Sequence, residues 1–175
     1  MELSAGNVKL RPLRVTDALR LSQLADNKKI SVNLRDGFPN PYSYADAVAF
    51  LERFSQQKPV TFFGIDFCGE YVGNISLMPG DDVYRMSAEI GYFIGEPYWN
   101  KGIITQAINL ITDYGFTVFS FARIHAGVFE YNTVSMHVLE KCGFKREAIL
   151  EKSIYRQEKL WSEMRYVKFN PALTL

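Results

Sequence analysis

The sequence predicts a mixed α/β fold (α+β in the arrangement of its elements): a central, mostly antiparallel sheet of about seven strands flanked by about four helices. Three observations predict it. Alternating or β-rich segments recur along the chain. Segments with helical spacing separate them. Their order is β, α, α, β, β, β, α, β, α, β, β, so helices and strands interleave instead of forming separate blocks.

Each element has its own signal. Residues 8–14 (VKLRPLR) alternate and predict the first strand. Thr16 and Asp17 predict a helix start with Thr16 as N-cap, and Leu19, Leu21 and Leu24 supply its apolar face. Gly37-Phe38-Pro39-Asn40-Pro41 predicts a loop. Ser43 with Asp46 resembles a capping box and opens a second helix, with Val48, Phe50, Leu51 and Phe54 on one side. Val60 to Phe67, a turn at Gly69-Glu70, and Tyr71 to Leu77 predict a hairpin. Tyr84 to Gly95 predicts a long third member of that meander. Gly102 to Phe119 has helical spacing through Ile104, Ala107, Ile108, Ile111 and Phe116. Residues 122–129 predict a strand and 132–142 a short helix stopped by Gly143. Two final strands are predicted near 144–154 and 160–169.

Composition bounds the function. The 175 residues fit one domain, 1–175, with 47% hydrophobic and 22% charged residues. A net charge of +1 supplies no field that would draw the chain to nucleic acid or to a membrane. The opening MELSAGNVKL lacks the apolar core of a signal peptide, and no apolar run approaches the ~20 residues of a membrane span. The two cysteines, Cys68 and Cys142, read as reduced thiols in a cytoplasmic protein, and no metal site is expected.

The segment richest in chemistry is Glu89 to Thr105. A strand ends near Gly95, a turn follows, and a helix begins at about Gly102. Helix starts leave N–H groups unpaired and carry partial positive charge, so this junction suits a pyrophosphate held mainly by main chain. Lys101 adds a point charge. Neither GxxxxGK[ST] nor GxGxxG occurs. A second segment, Tyr131 to Phe144, places Asn132 at another strand-to-helix junction. Its amide can donate and accept, which suits a pantetheine amide, and it is equally suited to capping the helix. Ser135 lies one turn on.

EIGYFIGEPYWNKGIITQAI followed by NTVSMHVLEKCGF resembles the Gcn5-related N-acetyltransferase (GNAT) superfamily. More narrowly it resembles the RimJ/RimL-type branch, as does the opening VKLRPLRVTDA. The superfamily's cradle pattern is Gln/Arg-x-x-Gly-x-Gly/Ala. Here Trp99 holds the first position, Gly102 matches, and Ile104 replaces the small last residue. Leu139 stands where many members have a tyrosine acid, so that role does not carry over, whereas the branch's Asn-x-x-Ser is present as Asn132 and Ser135.

The resemblance implies the acyl-CoA N-acyltransferase fold and direct transfer of acetyl from acetyl-CoA, a cosubstrate, to an amine. It implies that Tyr92, Phe93, Ile94, Asn100, Lys101, Gly102, Ile103, Ile104, Thr105 and Asn132 bind the carrier. The backbone of Tyr92 to Ile94 would pair with pantetheine, diverging from the strand at 126–129 at a bulge, and an N–H near Phe93 would face the oxyanion. Glu89 is the expected base, acting through water, and Ser135 the expected acid for the thiolate. Lys101, Lys141 and Arg146 could meet phosphates. Cys142, His125 and His137 read as structural.

The first two helices and the last hairpin would line the acceptor groove with Phe38, Tyr42, Tyr44, Tyr155 and Trp161 beside Glu96, Glu158 and Glu163. Those groups suit a cationic amine: a protein or peptide N-terminus of the ribosomal-protein type, or a polyamine or other small amine. A non-catalytic acyl-CoA- or peptide-binding module of the same fold is the rival reading. A monomer or homodimer is expected.

Overall fold

The computed structural model describes residues 1–173. It contains eight strands with hydrogen-bonded order β1-β2-β3-β4-β5-β6-β8-β7, and five α-helices. The β5–β6 pair is parallel, and the β1–β2, β2–β3, β3–β4, β6–β8 and β7–β8 pairs are antiparallel. The expected mixed, mostly antiparallel sheet with interleaved helices is therefore present. The contacts gather into two compact units: residues 1–76 with 92–111, and residues 77–91 with 112 onward.

In the first unit, β1 (Leu3–Ala5) and β2 (Val8–Pro12) form a hairpin through Gly6, at φ +55. β2 pairs with β3 (Phe62–Phe67), which pairs with β4 (Glu70–Pro79) through a register shift at Ile65/Asp66. Helices α1 (Ala18–Ala25), α2 (Lys28–Ser31) and α3 (Tyr44–Ser55) complete the layer. Leu13, Leu21, Leu24, Tyr42, Leu51 and Tyr71 form their common core. The Ser43–Asp46 capping box exists: the Asp46 N–H donates to Ser43 Oγ (3.1 Å), and the Ser43 N–H donates to Asp46 Oδ2 (2.8 Å).

Several expectations here are corrected. Thr16 is not the cap of α1. It sits in a 3-10 turn over Val15–Asp17, and the chain is turned into the helix by Asp17, which accepts from the Arg14 N–H at 3.0 Å. Asp17 is held in place by Arg11, whose Nη1 and Nη2 each reach it at 2.8 Å while Nε reaches Asp66 at 2.7 Å. Leu19 is 61% exposed, because it points away from the face that Leu21 and Leu24 bury. The strand of β1 and the single turn of α2 are additional elements.

In the second unit, β5 (Ser87–Ile94) enters the sheet at Ser87, not at Tyr84, because Asp82–Tyr84 forms a 3-10 turn first. Ser87 to Glu89 of β5 pair with Arg123 to His125 of β6 (Arg123–Phe129). β6 pairs with β8 (Lys159–Phe169), and β8 with β7 (Lys145–Arg156). Helix α5 (Thr133–Lys141) ends at Gly143, φ +82, as expected of a C-terminal glycine. Helix α4 (Ile103–Val118) starts in the first unit and ends in this one. Here Gly115 leaves room for the side chains of Leu77 and Ile124.

Candidate active site

The strand-turn-helix expected to bind an anion lies within the first unit. The Gly95 N–H donates to the Val72 carbonyl at 2.9 Å. A 3-10 turn over Glu96–Tyr98 then swings the chain away from the sheet, with Pro97 near its start. Asn100 (φ +60) and Gly102 (φ +72) are both left-handed, a conformation that asparagine tolerates and glycine adopts without strain. The Gln106 N–H closes the first helical bond onto the Gly102 carbonyl (3.2 Å). No acceptor among the described residues serves the N–H groups of Asn100, Lys101, Gly102, Ile103 and Ile104. Open space surrounds the missing β-carbon of Gly102. Unpaired amides at the positive end of a sixteen-residue helix, with no side chain on the glycine among them, make an anion cradle.

Side chains fix this loop. The Trp99 indole donates to the Ile94 carbonyl (2.8 Å), tying the loop back to the end of β5. One lone pair of that carbonyl is thereby taken. Tyr98 accepts from Arg20 (2.6 Å) and donates to Glu70 (2.9 Å). The Lys101 ammonium stands 5.4 Å from the centre of the Tyr98 ring, a cation–π contact. Ile103 is buried; Tyr92, Phe93, Ile104 and Thr105 are half-buried. The Phe93 ring packs edge-on against Phe38, with 5.7 Å between centroids.

Of the residues expected to line an acceptor groove, the first unit redirects two. Tyr42 belongs to the core, where burial, assisted by Asp46, pushes its phenol up to about 12. Glu96 is bonded by the Lys29 ammonium and by Asn27 Nδ2 (2.7 Å), Lys29 most strongly holding its carboxyl below the usual range. Glu96 also edges an open cleft of about 390 Å³ with Arg20, Gln23, Asp26 and Asn27. Tyr44 is exposed at the start of α3.

The second unit brings Asn132 and Ser135 together. Asn132 Oδ1 caps α5 by accepting from the Ser135 N–H (3.2 Å), which leaves the amide NH2 as the group able to donate to a ligand. Glu89 is half-buried and lies opposite His125 on the last rung of the β5–β6 ladder, which ends there although both strands continue. Ser87 Oγ lies 3.4 Å from His125 Nδ1. Burial pushes the His125 imidazole down, against the pull of Glu89.

Elsewhere in this unit Cys142 is buried and its thiol is pushed up by that burial, consistent with a packed thiol. Lys141, Arg146 and His137 are exposed. Tyr155 and Glu158 stand in solvent, Trp161 packs on Tyr131 (4.9 Å), and Glu163 is buried against Arg165 (2.5 Å). Sequence reasoning treated His125 as structural. Only the strand register puts it beside Glu89, and no local pattern carries that information.

A mixed sheet that delivers a glycine turn and an open helix start fits a protein that binds a phosphorylated ligand on main-chain amides. The profile described as "Acetyltransferase (GNAT) domain" matches residues 7–145. The chain belongs to the GNAT family and is an acetyl-CoA-dependent N-acetyltransferase.

Its relatives include the probable N-acetyltransferase YjcK of Bacillus subtilis, 32% identical over 87% of this chain and 88% of that one. The spermidine N(1)-acetyltransferase of Escherichia coli K12 is 31% identical over 84% of this chain and 77% of its own. Among solved structures, Mycobacterium smegmatis RimJ in complex with CoA-disulfide superposes with a TM-score of 0.84 at 24% identity, over 100% of this chain and 88% of that one.

Proposed function

We propose that the chain, acting as one acetyltransferase domain over residues 1–175, acetylates a small polycationic primary amine of the spermidine class by direct attack on acetyl-CoA. The observation that carries donor binding is the set of open amides from Asn100 to Ile104 around a glycine whose β-carbon position faces open space. The acceptor class is supported by the 31% identity to a spermidine N(1)-acetyltransferase across most of both chains.

The roles follow from the groups available. The amides of Asn100 to Ile104, with Lys101 and Thr105 beside them, hold the diphosphate. Acetyl-CoA supplies the acetyl group as an activated thioester. The backbone of Tyr92, Phe93 and Ile94 aligns the pantetheine arm, and the Phe93 N–H faces the developing oxyanion. The Asn132 NH2 donates to a pantetheine carbonyl. Glu89 accepts the proton lost by the amine through water, and Ser135 supplies one to the departing thiolate. The proposal includes a cytoplasmic location, which two free thiols support. No helix among the described residues is long and apolar enough to cross a membrane.

The test is release of free thiol from acetyl-CoA with spermidine, putrescine, an aminoglycoside, and peptides that differ in their first residue. Turnover is expected with spermidine. Turnover confined to peptides would replace the acceptor class by protein N-termini. Retention of CoA without thiol release from any acceptor would leave only a binding module.

A further inference from the structure

The reading of Glu89 as a base leaves one neighbour unexplained. His125 is the residue directly across the parallel ladder from it, so the two side chains leave the same face of the sheet on adjacent strands. The rung is the last of that ladder. His125 is one of two histidines in the chain, and it is half-buried while His137 is exposed. Charged groups surround it: Glu89 on β5, Arg165 on β8, Glu147 on β7, and Arg123 on its own strand. Ser87 Oγ, two rungs back on β5, lies 3.4 Å from Nδ1. The Arg123 guanidinium is itself bonded to Glu147 (2.6 Å) and Arg165 to Glu163 (2.5 Å), so each arginine has a carboxylate partner of its own.

We propose that His125 is the proton-relay residue through which Glu89 acts: Glu89 takes the proton that the ammonium acceptor must lose and passes it to the imidazole, and the facing carboxylate then holds the resulting imidazolium. The inference rests on the assignment of Glu89 to the base. An imidazole is closer in basicity to an alkylamine than any ordinary carboxylate, so the transfer is less uphill. Burial pushes the ring toward its neutral form, the form that can accept.

The step balances. The ammonium gives one proton, by way of water and Glu89, to His125 and becomes a neutral amine. Its lone pair forms the N–C bond to the acetyl carbon. The C–S bond breaks, with its electron pair leaving on sulfur. The nitrogen loses its second proton, which ends on the thiolate, and His125 returns its proton to solvent.

The experiment uses the full chain. The Cε1–H resonances of the two imidazoles are titrated by NMR in the wild type, in His137→Asn to assign them, and in Glu89→Gln. Removing the carboxylate is expected to lower the His125 midpoint and leave His137 unmoved. An unmoved His125 midpoint overturns the pairing.

Initial rates against pH with spermidine and acetyl-CoA are then compared for the wild type, His125→Asn, His125→Gln and Glu89→Gln, each checked for folding by thermal melting and CoA binding. Loss of the acidic limb of the profile, with a fall in kcat of more than about tenfold and an unchanged KM for acetyl-CoA in both histidine variants, supports the relay. A fully active His125→Asn beside an inactive Glu89→Gln keeps Glu89 as the base and overturns the relay. A fully active Glu89→Gln removes the base assignment and the relay with it.

Discussion

The carbonyl oxygen of Phe93 stands where a β-carbon on Gly73 would have to go, nearer to that position than real β-carbons come to any neighbour. Gly73 is thus the residue that lets β4 approach the end of β5. Gly73→Ala would force the backbone at Phe93 and Ile94 to move, and Phe93 is the proposed oxyanion donor. The expected cost is about 1–3 kcal/mol of stability together with a fall in turnover, read by urea unfolding and thiol release. Gly127→Ala is the comparison. There the obstructing group is the flexible end of Glu163, so the loss of stability should be the smaller of the two. Equal costs would argue against a backbone clash at Gly73.

Gly102→Ala tests the cradle. The side chain meets nothing, but the left-handed backbone strains any L-residue by roughly 1–2 kcal/mol. A melting measurement should record that strain, and calorimetry should record weaker acetyl-CoA binding beyond it. Gly102→Val carries the same expectation with more strain. Unchanged affinity in a folded Gly102→Ala protein would remove the diphosphate from this turn.

Arg11 holds two carboxylates that have few other partners in the first unit. Burial alone would pull its guanidinium down, but the bonds to Asp17 and Asp66 outweigh it and the net shift is upward. Arg11→Met leaves both acids without their cation, and a loss of about 3–5 kcal/mol is expected in urea unfolding. Because Asp17 also shapes the entry to α1, the variant should lower the protection of α1 amides in hydrogen exchange.

Tyr42 gives the fold an alkaline edge. Its phenol is pushed up to about 12 by burial, whereas the unfolded chain titrates near ~10. Between those values the unfolded state has lost a proton that the native state still holds, so stability falls as pH rises through that window and is fully present below it. Tyr42→Phe should flatten the decline in unfolding free energy over the window. An identical decline in the variant would assign it to other groups, among them Tyr71, whose phenol burial also raises.

Much of the architecture was legible because it is written in short-range signals. The Ser43–Asp46 box, Gly143 at φ +82 and the left-handed Gly102 each answer a local demand of the backbone. Asn132 capping α5 was legible for the same reason. The elements missed were too short to show a period: the three residues of β1 and the single turn of α2.

What stayed hidden depends on partners distant in sequence. Asp17 turns the chain into α1 because Arg11 holds it, and Arg11 is itself held by Asp66, a bond across 55 residues. Glu96 has chemistry suited to a cationic acceptor but is occupied by Lys29 and Asn27. Tyr42 has the surface of a binding residue and a place in the core. Glu89 could be placed on a strand face by alternation, but its neighbour His125 is a matter of register between strands, fixed only once the sheet forms.

The bond from the Trp99 indole to the Ile94 carbonyl has an optical consequence. The chain has two tryptophans, and the other, Trp161, is tied to the Arg156 carbonyl and the Tyr131 ring. Replacing Trp161 by phenylalanine would leave a single emitter at the start of the cradle, 37% exposed and sensitive to whatever competes for that carbonyl. Donor docking would then be visible as a change in intrinsic fluorescence, without a label and before any chemistry occurs.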